Sequence, residues 1–138
     1  MAVEFSRLDH VGVVVRDLDA STSWYEEHFG FAKLSEYGFP GARVAFIGRG
    51  DLRIELFQME NAAPMDPGRE DRATNLRFGG INHFAIGVSD IEAAVADLKA
   101  KGVEIVSPPG DVPDGRGDRY AFVRDNERML IELFQAGK

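Results

Sequence analysis

The residue types best suited to chemistry occur twice in this chain, once in each half. The pentapeptide Ile-Glu-Leu-Phe-Gln fills positions 54–58 and returns at 131–135. Upstream of each copy, His10 opens the run HVGVVVRDL and His83 opens the run HFAIGVSDI, and these runs match in register. The second half is four residues longer between its histidine and its glutamate, because the histidines lie 73 positions apart and the glutamates 77. The chain is therefore an internal repeat in which each half carries one imidazole and one carboxylate.

The period of a β-strand predicts that these side chains share one face of their sheets. Successive residues of a strand point to opposite sides, so Glu55 and Phe57 oppose the apolar Ile54 and Leu56, and the second copy repeats this pattern. A carboxylate inside an apolar strand is costly unless something compensates it, and one divalent cation would compensate both copies. Imidazole nitrogens and carboxylate oxygens suit Ni, Co, Zn, Mn or Fe. The candidate metal ligands are His10, Glu55, His83 and Glu132.

Each of these four residues also has a simpler interpretation. A lone histidine at the start of a strand is commonly a capping or core residue, and a lone glutamate usually lies on a solvated face. The symmetric set favours metal binding, because four separate coincidences would otherwise have to fall in register. The third histidine, His28, lies near the end of the first predicted helix, where we expect it to interact with the helix dipole rather than with a metal.

The elements that must position these residues follow the same order in each half. Short runs rich in β-branched residues predict strands at Leu8–Val15 and Ile81–Val88, and apolar residues spaced three to four apart predict helices at 19–29 and 91–101. Three strands should follow each helix. They are predicted at about 31–37, 42–48, 51–58, 103–106, 118–124 and 127–135. The segment from Ser107 to Asp118 is predicted as a loop, because it is rich in Pro and Gly, and it absorbs the four extra residues of the second half.

Helix-ending signals support this βαβββ order. Ser89 and Glu92 form an S-x-x-E capping box before the second helix, and Gly30 and Gly102 stand where each helix should end. The predicted fold class is α+β, with paired βαβββ modules that form a cup-shaped mixed sheet and carry their helices outside. The modules are predicted at 1–58 and 80–138, with a linker at 59–79 that is rich in Pro, Gly and charge.

Composition excludes several functional classes. The chain has 138 residues, a net charge of −7 and no cysteine, so disulfides, thiol nucleophiles and thiolate metal sites are ruled out. Its acidity disfavours nucleic-acid partners, and no apolar run is long enough to span a bilayer. The N-terminal residues do not resemble a secretory signal. These features lead us to expect a cytoplasmic protein with a small-molecule substrate and no membrane partner.

The repeated segments resemble the vicinal oxygen chelate superfamily, which includes glyoxalase I, methylmalonyl-CoA epimerase, extradiol dioxygenases and bleomycin resistance proteins. The resemblance is carried by LDHVGVVVRDLDASTSWYEEHFGF, LRIELFQ, GINHFAIGVSDIEAAVADLKAKGV and MLIELFQ, which together cover nearly the whole chain. It implies that His10, Glu55, His83 and Glu132 bind one divalent metal ion, with the ligand set of bacterial glyoxalase I as the nearest match.

The resemblance implies an isomerase or lyase that shifts a proton next to a metal-chelated carbonyl, in the manner of glyoxalase or methylmalonyl-CoA epimerase. In this pattern the metal is a Lewis acid, Glu132 is the better candidate for the catalytic base and Glu55 lies opposite. Aromatic residues near the glutamates and an arginine could line the substrate site. The candidates are Phe57, Phe134, Arg53, Phe46 and Tyr120, with Trp24, Arg43, Arg116 and Arg119 as further possibilities.

Two departures bear on the substrate. Bacterial glyoxalase I has an arginine four residues after the first histidine and an asparagine four after the first glutamate, both of which help to hold glutathione. Val14 and Met59 occupy these positions here. In addition, the usual DPDG turn before the last strand is replaced by Arg-Asp-Asn-Glu-Arg at 124–128, in which Asp125 and Asn126 can still form a tight turn.

Two other functions remain open at this point. An extradiol dioxygenase would use His10, His83 and Glu132 as a facial triad on iron, although Glu55 would then occupy coordination space that oxygen and catechol need. A bleomycin-type resistance protein would use the same cup to bind a drug, and an acidic chain would suit a cationic ligand. The four ligand-type residues argue against this second alternative.

We also expect a homodimer, because two βαβββ units usually pair with two more. The modules could pair within one chain or swap between chains. In the swapped arrangement, the ligands of one half would meet those of the other half from the partner.

Overall fold

Each half of the chain forms the predicted βαβββ unit. The computed structural model describes residues 2–138, and the chain divides into two compact units, one ending at Ala63 and the other spanning Pro64–Lys138. The elements of the first unit are β1 (Val11–Val15), α1 (Leu18–Phe29), β2 (Ala32–Phe39), β3 (Ala42–Arg49) and β4 (Leu52–Met59). Those of the second are α2 (Pro67–Glu70), a 3₁₀ helix (Asn75–Arg77), β5 (Phe84–Gly87), α3 (Ile91–Ala100), β6 (Ile105–Asp111), β7 (Arg119–Arg124) and β8 (Leu130–Gln135).

The two sheets have the same topology. Their strand orders are β1-β4-β3-β2 and β5-β8-β7-β6, with the first pair parallel and the others antiparallel. The repeated pentapeptide forms an inner strand in both, and its glutamates pair with Gly12 and Ala85 of the neighbouring strands. The predicted α+β class with two βαβββ modules is confirmed.

Along the inner strands β4 and β8, buried and half-buried side chains alternate as predicted. In β4, Ile54 and Leu56 are buried, whereas Glu55 and Phe57 between and beyond them are half-buried. In β8, Ile131 and Leu133 are buried and Glu132 is half-buried. Each core is closed by the buried side chains of its helix, led by Leu18 and Tyr25 in α1 and by Ile91 and Leu98 in α3. One face of each sheet thus packs on a helix, and the glutamate lies on the other face.

The last residue of the repeated pentapeptide fastens the helix of its own unit. The side-chain oxygen of Gln58 accepts a hydrogen bond from the backbone N–H of Leu18 at 2.7 Å, and that of Gln135 accepts one from Ile91 at 2.8 Å. These N–H groups belong to the first residues of α1 and α3, which have no partner inside the helix. The repeat therefore supplies two core residues, one glutamate, one aromatic side chain and one helix anchor in five positions.

A second contact holds the same helix ends. Arg43 on β3 donates to both oxygens of Asp19 at 3.1 Å, and Arg119 on β7 donates to Glu92 at 2.8 Å. Asp19 and Glu92 are each the second residue of their helix. These two arginines, considered above for substrate binding, therefore serve as helix clamps.

Several local predictions need correction. The cap of α3 is Asp90, whose carboxylate accepts from Ala93 N at 3.0 Å, so the predicted cap at Ser89 is wrong by one residue. The ends of the two helices are as predicted, because Gly30 and Gly102 both adopt positive φ, 67° and 82°. The first strand of each half begins later than predicted, at Val11 and Phe84, since the ladder with the inner strand starts there.

The strand predicted at 103–106 is also misplaced. β6 runs from Ile105 to Asp111 and includes Pro108 and Pro109, which we had assigned to a loop. Prolines are tolerated here because β6 is an edge strand that pairs only with β7, and its register shifts twice along that pairing. The segment predicted as a linker at 59–79 holds α2 and the 3₁₀ helix, both too short to show a periodic pattern. No described helix is long and apolar enough to cross a membrane.

Candidate metal centre

In the first unit, His10 and Glu55 meet. The Nε2 atom of His10 lies 3.2 Å from a carboxylate oxygen of Glu55. Glu55 lies in the middle of β4, and His10 immediately precedes β1, which pairs in parallel with β4. The Glu55 side chain is only 12% exposed and the His10 side chain 35% exposed, so the pair lies near the surface of the unit but is largely shielded from water.

The second unit repeats this pair with His83 and Glu132. The Nε2 atom of His83 lies 2.8 Å from a carboxylate oxygen of Glu132. His83 immediately precedes β5, and Glu132 lies within β8, the strand parallel to it. The side chains are 29% and 16% exposed. The two His–Glu pairs are thus equivalent in position, contact and burial.

The residue before each histidine orients the imidazole. His10 Nδ1 lies 2.9 Å from Asp9 Oδ1, and His83 Nδ1 lies 2.7 Å from Asn82 Oδ1. Both partners are acceptors and can take a hydrogen bond from Nδ1; when Nδ1 of a neutral imidazole carries the proton, Nε2 presents its lone pair. The lone pair then faces a carboxylate oxygen. This arrangement is favourable when the imidazole is protonated or when a cation is shared by the two groups.

A phenylalanine supports each histidine. The ring centroids of His10 and Phe46 are 5.1 Å apart at 87°, and those of His83 and Phe122 are 5.0 Å apart at 84°. In the sheets, Phe46 pairs with Glu55 and Phe122 pairs with Glu132. Each His–Glu pair is therefore backed by an aromatic ring on the neighbouring strand, which fixes the imidazole plane.

A guanidinium group covers each of these phenylalanines. Arg53 lies 4.7 Å from the ring centroid of Phe46, and Arg72 lies 4.0 Å from that of Phe122. Arg53 comes from β4 and also donates to Asp9 at 2.9 Å, whereas Arg72 comes from the segment between α2 and the 3₁₀ helix. Among residues 2–138, no carboxylate lies within ion-pair distance of Arg72.

Tyr37 adds a contact found only in the first unit. Its hydroxyl donates a hydrogen bond to Oε1 of Glu55, and its ring stacks on Phe46 with ring centroids 6.4 Å apart at 29°. The hydrogen bond to Glu55 raises the pKa of the Tyr37 hydroxyl, which keeps the hydroxyl a donor. In the second unit, no hydroxyl among the described residues donates to Glu132.

The donor set and its spacing fit a divalent metal. Two ligands at right angles around one ion, each about 2.1 Å from it, lie about 3.0 Å apart. The nitrogen–oxygen distances of 3.2 and 2.8 Å bracket this value. The structure joins His10 to Glu55 and His83 to Glu132, but within the described part of the chain no three His, Asp or Glu side chains gather into a metal-binding group. Each pair is therefore half of the predicted ligand set.

The predicted substrate-site residues are distributed unevenly. Phe57 and Phe134 are half-buried on the same strand faces as the glutamates. Phe46 packs edge-on against His10, and Arg53 reaches the first pair through Phe46 and Asp9. Tyr120 reaches the second pair only through Phe122, with ring centroids 5.9 Å apart.

The remaining candidates lie elsewhere. Trp24 packs on residues of its own helix, including His28 at 4.8 Å. Among the described residues, His28 contacts neither His–Glu pair, and its buried Nδ1 atom has no hydrogen-bond partner. Arg43 and Arg119 clamp the helices, and the largely exposed Arg116 lies 4.0 Å from Asp118.

Five residues of this centre were missed from the sequence, namely Asp9, Asn82, Phe122, Tyr37 and Arg72. Asp9 and Asn82 could have been found, because each directly precedes a predicted ligand in the aligned halves. Phe122 could have been found by giving both halves the register that places Phe46 beside Glu55. Tyr37 carried no such signal, since its contact crosses from β2 over β3 to β4.

Comparison with known proteins places this arrangement in a family. Residues 7–133 match the model of the Glyoxalase/Bleomycin resistance protein/Dioxygenase superfamily. A lactoylglutathione lyase of Arabidopsis thaliana is 32% identical over 95% of this chain and 44% of its own length. A mitochondrial methylmalonyl-CoA epimerase of Mus musculus is 31% identical over 96% of this chain and 75% of its own length. The crystal structure of glyoxalase I from Zea mays superposes with a TM-score of 0.74 at 28% identity, covering 96% of this chain and 45% of that one.

The chain spans less than half the length of the plant lyase that it matches, 44%. The family match nevertheless covers nearly all of this chain and includes both His–Glu pairs. The chain belongs to the Glyoxalase/Bleomycin resistance protein/Dioxygenase superfamily.

Proposed function

We propose that this chain is a divalent-metal-dependent isomerase or lyase that moves a proton next to a carbonyl group of a small-molecule substrate. The observation that carries the proposal is the pair of equivalent His–Glu contacts, 3.2 and 2.8 Å long, in which Nε2 of each imidazole faces a carboxylate oxygen. The proposed ligands are His10, Glu55, His83 and Glu132. The similarity to a lactoylglutathione lyase and to a methylmalonyl-CoA epimerase supports this reaction class.

The proposed centre needs both His–Glu pairs. We propose that the two units come together to complete it, either within one chain or across a homodimer in which each partner supplies one pair. Ni, Co, Zn, Mn and Fe all suit two imidazoles and two carboxylates. A cytoplasmic location remains part of the proposal.

The chain's own residues would divide the work as follows. A bound divalent ion would supply Lewis acidity, which makes a proton beside a carbonyl easier to remove. Glu132, whose carboxylate contacts only His83 among the described residues, would take that proton from carbon and return it to the neighbouring atom or to the opposite face. Phe57 and Phe134 would exclude water from the reacting atoms, since both lie on the strand faces that carry the glutamates.

Two positions bear on the substrate. Val14 is 58% exposed and Met59 is half-buried, so the positions that hold glutathione in bacterial glyoxalase I offer apolar surface here. Neither side chain can bind a carboxylate or donate a hydrogen bond. We therefore favour an epimerase-like substrate, such as an acyl thioester, over a glutathione adduct.

The proposal is tested by stripping the protein with a chelator and restoring it with single metals. We expect one ion per completed centre by elemental analysis, no turnover of acyl-CoA epimers after stripping, and recovery with at least one of Ni²⁺, Co²⁺, Zn²⁺ or Mn²⁺. The matched control is His28→Gln, because this histidine lies outside both His–Glu pairs; it should keep metal stoichiometry, whereas His83→Gln should lose it.

Three outcomes would contradict the proposal. Turnover of the methylglyoxal–glutathione adduct but not of acyl-CoA epimers would overturn the substrate preference and leave the centre intact. Cleavage of a catechol with added Fe²⁺ would show a dioxygenase. Tight binding of a cationic natural product by a protein that takes up no metal would show a resistance-type binding protein.

A further inference from the structure

We infer that Tyr37 is a positioning residue that holds Glu55 in the orientation of a metal ligand. The inference rests on the proposed function, because it concerns one of the four proposed ligands. Among the described residues, the hydroxyl of Tyr37 bonds to Glu55 and its ring packs on Phe46, and neither group contacts a histidine or Glu132. Its effect on the centre would therefore act through the Glu55 carboxylate.

The geometry assigns separate tasks to the two oxygens of this carboxylate. Oε1 of Glu55 accepts the Tyr37 hydroxyl, whereas Oε2 lies 3.2 Å from Nε2 of His10. A carboxylate whose one oxygen accepts a hydroxyl is held with its other oxygen turned toward an ion shared with the histidine. The Tyr37 ring is itself fixed, since it stacks on Phe46, which packs edge-on against His10. The hydroxyl, the carboxylate and the imidazole are therefore coupled through one aromatic residue.

The second unit has no equivalent of this hydroxyl. In the first sheet, Tyr37 pairs with Val44, which in turn pairs with Phe57. In the second sheet, Phe134 is the equivalent of Phe57 and pairs with Tyr120, which in turn pairs with Gly110. The position that carries tyrosine in one half thus carries glycine in the other.

The Tyr120 ring lies beside Gly110, within ordinary van der Waals distance of where a Cβ atom would stand. A Cβ atom added to Gly110 would lie 3.7 Å from the Tyr120 ring. Tyr120 in turn packs on Phe122 rather than on Glu132. Glu132 is consequently the carboxylate without a hydroxyl restraint among the described residues.

The test is a thermodynamic cycle on the affinity of the metal-stripped full chain for Zn²⁺, measured by calorimetric titration. Tyr37→Phe removes one oxygen atom from a side chain that is 45% exposed on an edge strand, so the melting temperature of the metal-free protein should not change. Loss of a group that orients a metal ligand typically weakens affinity by about 10- to 100-fold, and we expect the lower end of that range. Tyr120→Phe removes the same atom from the other unit and should leave the Zn²⁺ affinity unchanged.

Combining the Tyr37 and Glu55 substitutions distinguishes positioning of the Glu55 carboxylate from a general structural effect of Tyr37. In a Glu55→Gln background, Tyr37→Phe should cause no further loss of Zn²⁺ affinity, because the carboxylate on which the hydroxyl acts is already gone. An equal loss in both backgrounds would overturn the inference, as would wild-type affinity in Tyr37→Phe. The Co²⁺ absorption spectrum gives a second readout, and it should change in Tyr37→Phe but not in Tyr120→Phe. If the wild-type chain bound neither ion, the proposed metal centre itself would fail, a pattern distinct from normal binding by every tyrosine variant.

Discussion

The two units carry the same His–Glu pair in different surroundings. In the first, Asp9 orients the histidine and Tyr37 restrains the glutamate. In the second, the neutral Asn82 orients the histidine, and Glu132 meets only His83 among the described residues. The strand register, the phenylalanine behind each imidazole and the glutamine at each helix are nevertheless the same.

Under the proposed function, this difference would give one residue type two roles in the two halves of a repeat. The pentapeptide places a carboxylate at the same point in both sheets, so the backbone alone gives no reason for one of them to differ. The contacts around the carboxylates create the distinction. Glu55 is held by two neighbours, which suits a fixed ligand, and Glu132 keeps one oxygen without a hydrogen bond, which suits a proton carrier.

Exchanging one glutamate at a time for glutamine should have the largest effect. Glu132→Gln should lower kcat by about 10²- to 10⁴-fold, the contribution typical of a general base, because an amide cannot accept the proton. Glu55→Gln should act mainly on metal affinity, so that part of its activity returns when excess metal is supplied. Turnover measured over a range of metal concentrations distinguishes the two variants.

The comparison would break if the two variants behaved alike. Full rescue of Glu132→Gln by added metal would make Glu132 another fixed ligand. A Glu55→Gln variant that binds metal normally and has lost turnover would instead make Glu55 the base. Circular dichroism of both variants controls for folding, since each change is nearly isosteric.

The sequence was sufficient for the fold because the fold depends on repeated, periodic features. Alternation along 54–58 and 131–135 identified the buried and the half-buried face of each inner strand. The glycines that end the helices could also be predicted from the sequence, since a positive φ favours glycine. By contrast, Pro108 and Pro109 suggested a loop, because the sequence does not show that they lie on an edge strand.

The candidate site was predictable only where it repeats. His10 and His83 could be aligned with each other, as could Glu55 and Glu132, and the structure joins each histidine to its own glutamate. Tyr37 could not be found in this way, because its counterpart is Gly110 and the alignment of the halves hides it. Aligning the two halves therefore cannot reveal the residues that distinguish one His–Glu pair from the other.

Unlike the two glutamates, the two glutamine anchors should behave alike, so that replacing either one lowers the free energy of unfolding by a similar amount. Gln58→Met keeps the side-chain length but leaves the N–H of Leu18 without its acceptor, which should cost about 1 kcal/mol of unfolding free energy. Gln135→Met should cost a similar amount through Ile91. Chemical denaturation of the metal-free protein measures both, and Ser23→Ala on the exposed side of α1 is the control.

An unequal result would sharpen the comparison in another direction. If only one glutamine variant were destabilised, the helix of the other unit would depend chiefly on its arginine clamp. If neither were destabilised, water would replace the side-chain acceptor at both helix ends, and the repeated glutamine would have no structural role.

The smallest expected effect is the loss of stability when an arginine clamp, Arg43 or Arg119, is replaced, and this loss should depend on pH. Arg43 is the hydrogen-bond partner that chiefly lowers the pKa of Asp19, and together with Lys33 it lowers the pKa of Glu36. A carboxylate with a lowered pKa in the folded state stabilises the fold above its ordinary pKa, here 3.8 and 4.5, and loses that contribution as pH falls through the lowered value. Arg43→Gln should therefore be less stable than the wild type at neutral pH, and the gap should close well below pH 3.8.

The other clamp provides the matched comparison for this pH dependence. Arg119 meets Glu92 at 2.8 Å and Asp111 at 3.3 Å, whereas Arg43 makes four hydrogen bonds to Asp19 and Glu36. All of these side chains are at least partly exposed, so solvent screens them and both losses should be small. Arg43→Gln should still lose more stability at neutral pH than Arg119→Gln, because it breaks more contacts. A gap between Arg43→Gln and the wild type that persisted at pH 2 would show that Arg43 stabilises α1 by packing rather than by charge.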